Sequence, residues 1–219
     1  IQAVHPGRSC TNMGDLRLKL PITYFFVIVG SLALTGIPPF AGYFSKDLIL
    51  EYAFSLHTIN GLNIYILGCL GAFLTAVYST RLLYLTFHGK TSIEKSSFNK
   101  IREAPVIMLL PLFILSIGAV FAGYLFYDLV SENNFWNNSI YFAKEISFVD
   151  EAHHIKLIFK ILPVLFVVVA IFLVFCSYKY IKNLSKICNK NLSNITIFLK
   201  NKWYFDELYN FIFVKKLSE

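Results

Sequence analysis

The stretch GIPPFAGYFSKD, residues 36–47, decides the fold because it interrupts a long apolar segment of the chain. Its two consecutive prolines, Pro38 and Pro39, remove two backbone hydrogen-bond donors and break a helix at that point. Lys46 and Asp47 follow in the same apolar surroundings, where ionisable side chains are functional candidates by default. The stretch therefore predicts a helix in two halves with a polar site beside the break.

The composition of the whole chain is that of a membrane protein. Hydrophobic residues make up 56% of the 219 residues and charged residues only 15%, whereas about 25% of the residues of a soluble domain are charged. The mean hydropathy is +0.59. Several uncharged runs reach the roughly 20 residues that a helix needs to cross the hydrocarbon core of a bilayer. We therefore predict an all-α protein with several transmembrane helices.

Four transmembrane helices account for these runs. The first covers residues 21–55 and is too long for one straight crossing of ~30 Å, so we expect it to be discontinuous at Pro38-Pro39. The other three cover residues 62–87, 105–127 and 158–180. Because broken backbone at membrane depth is tolerated only where protein or a polar cavity surrounds it, the first helix should lie inside a larger bundle.

The flanking segments divide the chain into three parts. Residues 1–20 form a lead-in, residues 21–181 form the membrane bundle, and residues 182–219 form a basic tail. The apolar residues of the tail follow the spacing of an amphipathic helix, and they are Phe205, Leu208, Tyr209, Ile212 and Phe213. Such a helix lies along the membrane surface or docks on a partner.

The charges of the connecting segments predict the orientation in the membrane. The lead-in and the loop 88–103 each carry a net charge of +2 and the tail is rich in lysine, whereas the loop 128–156 carries −3. Four crossings place the three basic segments on one side, and basic segments stay in the cytoplasm. Both termini are therefore predicted to be cytoplasmic. The net charge of +7 is explained in this way without a nucleic-acid partner.

Lys46 is the main candidate for a functional residue. A lysine that loses its hydration inside a bundle can give up its proton and take up another. Asp47 beside it can hold a water molecule or act on it electrostatically, and Glu51, one turn after Asp47, is a secondary candidate. The sequence leaves open the alternative that Ser45-Lys46-Asp47 only caps the second half-helix near the membrane surface.

Two further secondary candidates lie at the end of the second predicted helix. Arg81 and His88 share a helix face, and the simpler interpretation of Arg81 is that it extends to the membrane interface. His153-His154 lies in a polar loop, and adjacent histidines do not share a helix face, so we predict no metal site. The sequence has no glycine-rich phosphate loop, cysteine cluster or nucleophile motif, so we expect no catalytic chemistry in this chain.

Residues 36–47 resemble the G-[IL]-P-P-F-x-G-[FY]-[FLW]-S-K-[DE] signature of the antiporter-like membrane subunits of respiratory complex I, Mrp-type Na⁺/H⁺ antiporters and membrane-bound hydrogenases. Further stretches resemble one branch of that family, the distal complex I subunits called subunit L or chain 5. They are GAFLTAVYSTR (71–81) with FHG (87–89), and WYFDELY (203–209) with FVKK (213–216), while NMGDL (12–16) resembles the lead-in to the broken helix in the family as a whole. These stretches keep the order of the family.

The resemblance implies a proton-translocating membrane subunit of NADH:quinone oxidoreductase. In that family the lysine of the broken helix is a protonation site in the half-channel that faces the outside, and this role falls on Lys46, with Asp47 as its acidic neighbour. NADH, FMN, iron–sulfur clusters and quinone would be bound by other subunits. The partners would be the lipid bilayer and other complex I membrane subunits, especially neighbouring antiporter-like ones. The location would be the bacterial inner membrane or, as the alternative, the mitochondrial inner membrane.

The resemblance covers the C-terminal portion of the family. The family's other key groups, which are a glutamate–lysine pair, a central lysine and a helix with histidine or lysine, precede this portion, and a long lateral helix follows it. We therefore expect the chain to be a fragment that carries the outward half-channel. Two alternatives stay open: a subunit of an Mrp-type Na⁺/H⁺ antiporter, and a truncated remnant that serves assembly only or has no function.

Overall fold

The structure, a computed structural model, describes residues 13–56, 58–91, 95–131, 156–180 and 193–215, and within these ranges it contains helices and no β-strand. Most of the predicted acidic loop and the start of the lead-in lie outside the described residues. The α-helices, in chain order, are α1 (Pro21–Thr35), α2 (Ala41–Ser55), α3 (Ile59–Leu83), α4 (Lys95–Lys100), α5 (Val106–Ser131), α6 (Leu157–Tyr180), α7 (Ser193–Lys200) and α8 (Phe205–Tyr209).

Three of the described helices are long and apolar enough to cross a membrane. They are α3 with the π-helical turn Tyr84–His88 that continues it, the Val106–Tyr127 part of α5, and α6. Helices α1 and α2 have 15 residues each, a length of about 22 Å that falls short of the ~30 Å hydrocarbon core. Helix α1 is one of the shorter apolar helices of the described residues, and α2 follows it in succession. The predicted all-α membrane fold is confirmed.

Gly36 ends α1 in the left-handed conformation, with a φ of 77°. Its N–H and that of Ile37 donate to carbonyl oxygens three and five residues earlier, both at 3.3 Å, and this Schellman arrangement closes the helix C-terminus. Pro38 and Pro39 follow, joined by a cis peptide bond, and α2 begins at Ala41. The predicted discontinuity at the proline pair is confirmed.

The two half-helices overlap side by side instead of meeting end to end. A Cβ atom on Gly42 would lie 1.8 Å from the backbone oxygen of Ala33, so the first turn of α2 packs directly on the end of α1. A Cβ atom on Gly36 would lie 3.3 Å from Cδ of Lys46. Glycine at these positions permits a backbone approach that sets the start of α2 beside the end of α1.

Three clusters of buried side chains form the core among the described residues of the first compact unit, Ile1–Phe175. The first joins the lead-in and the start of α1 to the end of α3, the second joins the middle parts of α3 and α6, and the third joins the second half of α2 to the starts of α3 and α6. In the second cluster, small residues let α3 and α6 approach closely. Its buried residues are Ala72 and Ala76 of α3 and Val167 and Ala170 of α6.

Glu103, in the segment before α5, caps the first turn of α1. Its carboxylate accepts hydrogen bonds from the backbone N–H groups of Ile22 at 3.2 Å and Thr23 at 3.1 Å, and from the Thr23 hydroxyl. The N–H groups of a first turn have no partner within their helix, and a carboxylate there also complements the helix dipole. The carboxylate thereby fastens the loop after α3 to the start of α1.

We expect Glu103→Ala to loosen this end of α1 and to lower the unfolding free energy by about 1 kcal/mol, the usual value of a lost helix cap. Hydrogen exchange of the Ile22 and Thr23 amides in the protein purified in detergent should become faster, because both amides lose their acceptor. Arg102→Ala is the matched control, since Arg102 is the exposed neighbour of Glu103. Equal exchange rates in the two variants would contradict the cap.

Tyr65 of α3 satisfies a carbonyl group that a proline leaves free in α6. Pro163 has no N–H to donate to Phe159 O, the acceptor one turn earlier, and the hydroxyl of Tyr65 donates to that oxygen at 2.7 Å. Tyr65 is buried, with 4% of its surface exposed. The bond therefore replaces a missing intrahelical hydrogen bond by one between two helices.

We expect Tyr65→Phe to lower the unfolding free energy by about 1 kcal/mol, the size of one hydrogen bond between membrane helices. The informative measurement is a double-mutant cycle with Pro163→Ala, read from denaturant unfolding in detergent. Alanine restores the backbone N–H at position 163, so Tyr65→Phe should cost less in that background. Equal costs in both backgrounds would show that the Tyr65 hydroxyl does not stand in for the missing bond.

The second compact unit, Cys176–Glu219, contains the described part of the tail. Lys202, Trp203 and Tyr204 take left-handed backbone conformations, which residues other than glycine seldom adopt, and α8 begins directly after them. The five apolar residues of the predicted amphipathic stripe are all exposed. Lys202 donates a hydrogen bond to Asp206 at 2.8 Å, and this contact raises the pKa of Lys202.

Candidate functional site

Lys46 lies in the second turn of α2, where the overlap of the half-helices brings it beside the end of α1. Its side chain is partly buried, and Nζ donates to the backbone oxygen of Thr35 at 3.4 Å. Among the described residues, no carboxylate lies within 4.0 Å of this ammonium group. The lysine is therefore held by a long hydrogen bond to a neutral acceptor, and no ion pair fixes its charge.

The end of α1 gives Lys46 a suitable electrostatic environment. The last four carbonyl groups of a helix have no partner within it, and together they carry roughly half a negative charge. In the turn at Gly36, two of these carbonyl groups accept backbone hydrogen bonds. The carbonyl oxygen of Thr35 accepts a hydrogen bond from Lys46. A broken membrane helix that directs its carbonyl end at a cation is an arrangement that transporters use for ions and protons.

Asp47 follows Lys46 and lies on a different face of α2. Its side chain is buried, with 7% of the residue surface exposed, and Oδ2 has no hydrogen-bond partner among the residues that the structure describes. Buried polar atoms are almost always satisfied, so a carboxyl oxygen in this place requires a proton or a hydrogen bond from water. The Asp47 carboxyl group is therefore of a kind that can exchange protons, and it directly follows Lys46 in the chain.

Glu51 lies one turn after Asp47 and forms an ion pair with Lys160 of α6. The Lys160 Nζ to Glu51 Oε2 distance is 3.5 Å, and the two side chains are 27% and 18% exposed. Glu51 is a predicted candidate, whereas Lys160 is not, because Lys160 stands at the edge of an apolar run, where a charge is typical of the flank of a membrane helix. A search for single charges within the first turns of predicted membrane helices would have found it.

Arg81 and His88 lie away from Lys46. Arg81 is exposed on α3, and Nε2 of His88 forms a hydrogen bond of 2.8 Å with the Tyr24 hydroxyl near the start of α1. Tyr24 and Thr35, the contact of Lys46, are about 16 Å apart along α1. The structure thus groups Lys46 and Asp47 with Glu51 along α2, and it places His88 in a separate group at the other end of α1.

No group of three or more His, Cys, Asp or Glu side chains suited to a metal ion occurs among the described residues. His153-His154 lies outside them. The described site consists of one lysine and two carboxyl groups on one helix, with a second lysine from α6. Amine and carboxyl groups of this kind exchange protons, so the chemistry that the arrangement offers is proton transfer.

Comparison with known proteins gives consistent matches. Residues 1–75 match the family described as NADH:quinone oxidoreductase/Mrp antiporter, transmembrane. The chain is 40% identical over 226 residues to NADH-quinone oxidoreductase subunit L of Rickettsia bellii, a match that covers 100% of this chain and 34% of that protein. It is 39% identical over 215 residues to NADH-ubiquinone oxidoreductase chain 5 of Phytophthora infestans, with 95% and 32% covered.

A third relative agrees with these two. The chain is 38% identical over 226 residues to NADH-ubiquinone oxidoreductase chain 5 of the alga Chondrus crispus, covering 98% of this chain and 34% of that protein. The chain therefore spans about a third of the length of the curated relatives that it matches. The resemblance inferred from the residues is confirmed by these matches along the chain.

Proposed function

Because this chain is homologous along its length to a segment of NADH-quinone oxidoreductase subunit L and NADH-ubiquinone oxidoreductase chain 5, we propose that it is a proton-translocating part of the membrane domain of respiratory complex I. The observation that carries the proposal is the placement of Lys46 at the carbonyl end of the broken α1, beside the buried carboxyl group of Asp47. This segment forms the outward half of a proton path.

In the proposed path Lys46 binds a proton and passes it on toward the C-terminal half of α2. The long bond to Thr35 O supports this role, because a neutral acceptor holds the ammonium without forming a permanent ion pair. The unpartnered Oδ2 of Asp47 supports it as well, since that atom can take the proton that Lys46 releases. Redox chemistry has no place in this path, and we assign NADH, FMN, iron–sulfur clusters and quinone to other subunits.

The partners in this proposal are the lipid bilayer and the other membrane subunits of complex I, in particular neighbouring antiporter-like subunits. We propose the bacterial inner membrane as the location, with the mitochondrial inner membrane as the alternative, because the relatives include both a subunit L of Rickettsia bellii and a chain 5 of Phytophthora infestans. The basic lead-in, loop 88–103 and tail support a cytoplasmic position for both termini.

A second candidate function follows from the description of the matching family, which includes Mrp antiporters. In that case Lys46 would serve the exchange of Na⁺ for protons without any link to NADH oxidation. A third candidate is a chain that acts in assembly only.

Affinity purification of the tagged chain from its native membranes separates these functions. The proposal expects a complex that oxidises NADH, reduces quinone and takes up protons into sealed vesicles when NADH is supplied. Exchange of Na⁺ for protons without NADH would support the antiporter instead. A chain that co-purifies with neither activity would overturn the proposal.

A further inference from the structure

The ion pair between Glu51 and Lys160 differs from the other ion pairs that the described residues form. Its side chains are 18% and 27% exposed, against 50% and 45% for Arg17–Asp15 and 76% and 68% for Lys202–Asp206. Exposed pairs contribute little to stability, whereas a charge within a membrane helix is costly and marks a function by default. Because it joins α2 to α6, this pair needs an explanation beyond surface electrostatics.

Aromatic residues neighbour both members of the pair along the chain. Phe159 directly precedes Lys160, and Phe54 lies one turn after Glu51 on the same helix. The rings of Phe54 and Phe159 stack with centroids 4.3 Å apart, and Tyr65 packs against both. Both members of the pair therefore follow or precede residues of an apolar cluster on their own helices, and their low exposure means that water reaches them less than at an open surface.

Glu51 is also the next carboxyl group after Asp47 on the same face of α2. Four residues of an α-helix rise by about 6 Å, a distance that one water molecule bridges between two carboxyl groups. Asp47 has the unpartnered oxygen Oδ2, and Glu51 has the ammonium of Lys160 as its partner. Asp47 and then Glu51, with Lys160 as the partner of Glu51, thus follow one another from the helix break toward the end of α2.

We infer that Glu51 receives the proton that leaves Asp47 and that Lys160 is the positioning residue whose charge pairs with the Glu51 carboxylate between transfers. The inference rests on the proposed proton path through Lys46. In the step, the proton passes from the Asp47 carboxyl group to the Glu51 carboxylate, directly or through one water molecule. Asp47 becomes the carboxylate, Glu51 becomes neutral, and the ion pair with Lys160 opens until Glu51 releases the proton.

The test measures protons pumped per NADH oxidised by the complete enzyme in proteoliposomes. Glu51→Gln keeps a hydrogen bond to Lys160 but cannot carry the proton, so it is expected to lower this ratio to the level of Lys46→Ala. Lys160→Met is expected to lower it as well, and Lys160→Arg, which keeps the charge, is expected to restore it. Because the two residues act as a unit, the double variant should lose no more of the ratio of protons to NADH than Glu51→Gln alone.

Lys156→Met is the matched control, because Lys156 is an exposed lysine four residues before Lys160. This variant should pump normally.

The outcomes separate this inference from the proposed function. If Lys46→Ala lowers the ratio while Glu51→Gln and Lys160→Met leave it unchanged, the inference fails and the proposed function stands. If Lys46→Ala itself leaves the ratio unchanged, the proposed function fails. A reduced amount of assembled enzyme with a normal ratio of protons to NADH would show that the ion pair is only structural, and it would overturn the inference. Glu51→Gln decides the question even if Lys160→Met does not assemble, because it leaves the packing around Lys160 in place.

Discussion

Replacing Lys46 by alanine in the complete enzyme is expected to abolish most of the proton transfer through this segment, while NADH oxidation by artificial electron acceptors continues. The side chain is the group beside the break that can carry a proton from the end of α1 to Asp47. Positioned proton-transfer groups accelerate their step by about 100-fold or more, so transfer without Lys46 should fall by at least that factor. The measurement is the initial rate of proton uptake by proteoliposomes at a matched rate of NADH oxidation.

Two variants show whether the effect belongs to proton exchange. Ser45→Ala changes the exposed neighbour of Lys46, whose hydroxyl bonds only to the backbone of its own helix at 3.4 Å, and it should pump normally. Lys46→Arg keeps a cation at the end of α1, but a guanidinium does not release its proton in a protein, so pumping should stay low. Normal pumping by Lys46→Arg would mean that the residue serves only as a fixed positive charge, and normal pumping by Lys46→Ala would remove it from the path.

Replacing Gly42 by alanine is expected to disrupt the overlap of the two half-helices. The new Cβ would lie 1.8 Å from the backbone oxygen of Ala33, and neither partner is the flexible end of a side chain. Overpacking costs typically reach about 3 kcal/mol and occasionally more, so we expect less assembled subunit in the membrane and a lower melting temperature of the protein purified in detergent. Pumping should fall too, because Lys46 would no longer reach Thr35 O.

Gly71→Ala is the control for this variant. It also introduces one methyl group into a helix, but a Cβ at Gly71 meets no atom of the described residues within 4 Å. Alanine is favoured over glycine in a helix by up to about 1 kcal/mol, so this variant should be as stable as the wild-type protein or slightly more so. Equal stability of Gly42→Ala and Gly71→Ala would contradict the close packing of α1 on α2.

The position of the helix break was predictable because its causes are local. Pro38 and Pro39 lack amide donors whatever surrounds them, and Gly36 can take the left-handed conformation that ends α1. The side-by-side overlap was not predictable, because it depends on the distance between Gly42 and Ala33 across the break. Residue type and order thus gave the existence of two half-helices, while their packing required the three-dimensional arrangement.

The candidate site was predictable to the same degree. Lys46, Asp47 and Glu51 stand out in the sequence because each is a charge next to apolar residues on one helix. Lys160 reaches Glu51 from a helix more than 100 residues later in the chain, and neither helix alone specifies that contact. The acceptor of Lys46, a backbone oxygen of Thr35, is invisible in the sequence for another reason: every residue has one, and only geometry selects it.

The contact of Glu103 with the first turn of α1 has a consequence for the order of events during synthesis. The carboxylate lies 81 and 80 residues after the two amides that it caps. While the ribosome is still producing α2 and α3, Glu103 has not yet been made, so it cannot cap these two amides. The start of α1 is therefore completed late. Its hydrogen bonds to Glu103 form only after α2 and α3 have been made and the chain has returned to the start of α1.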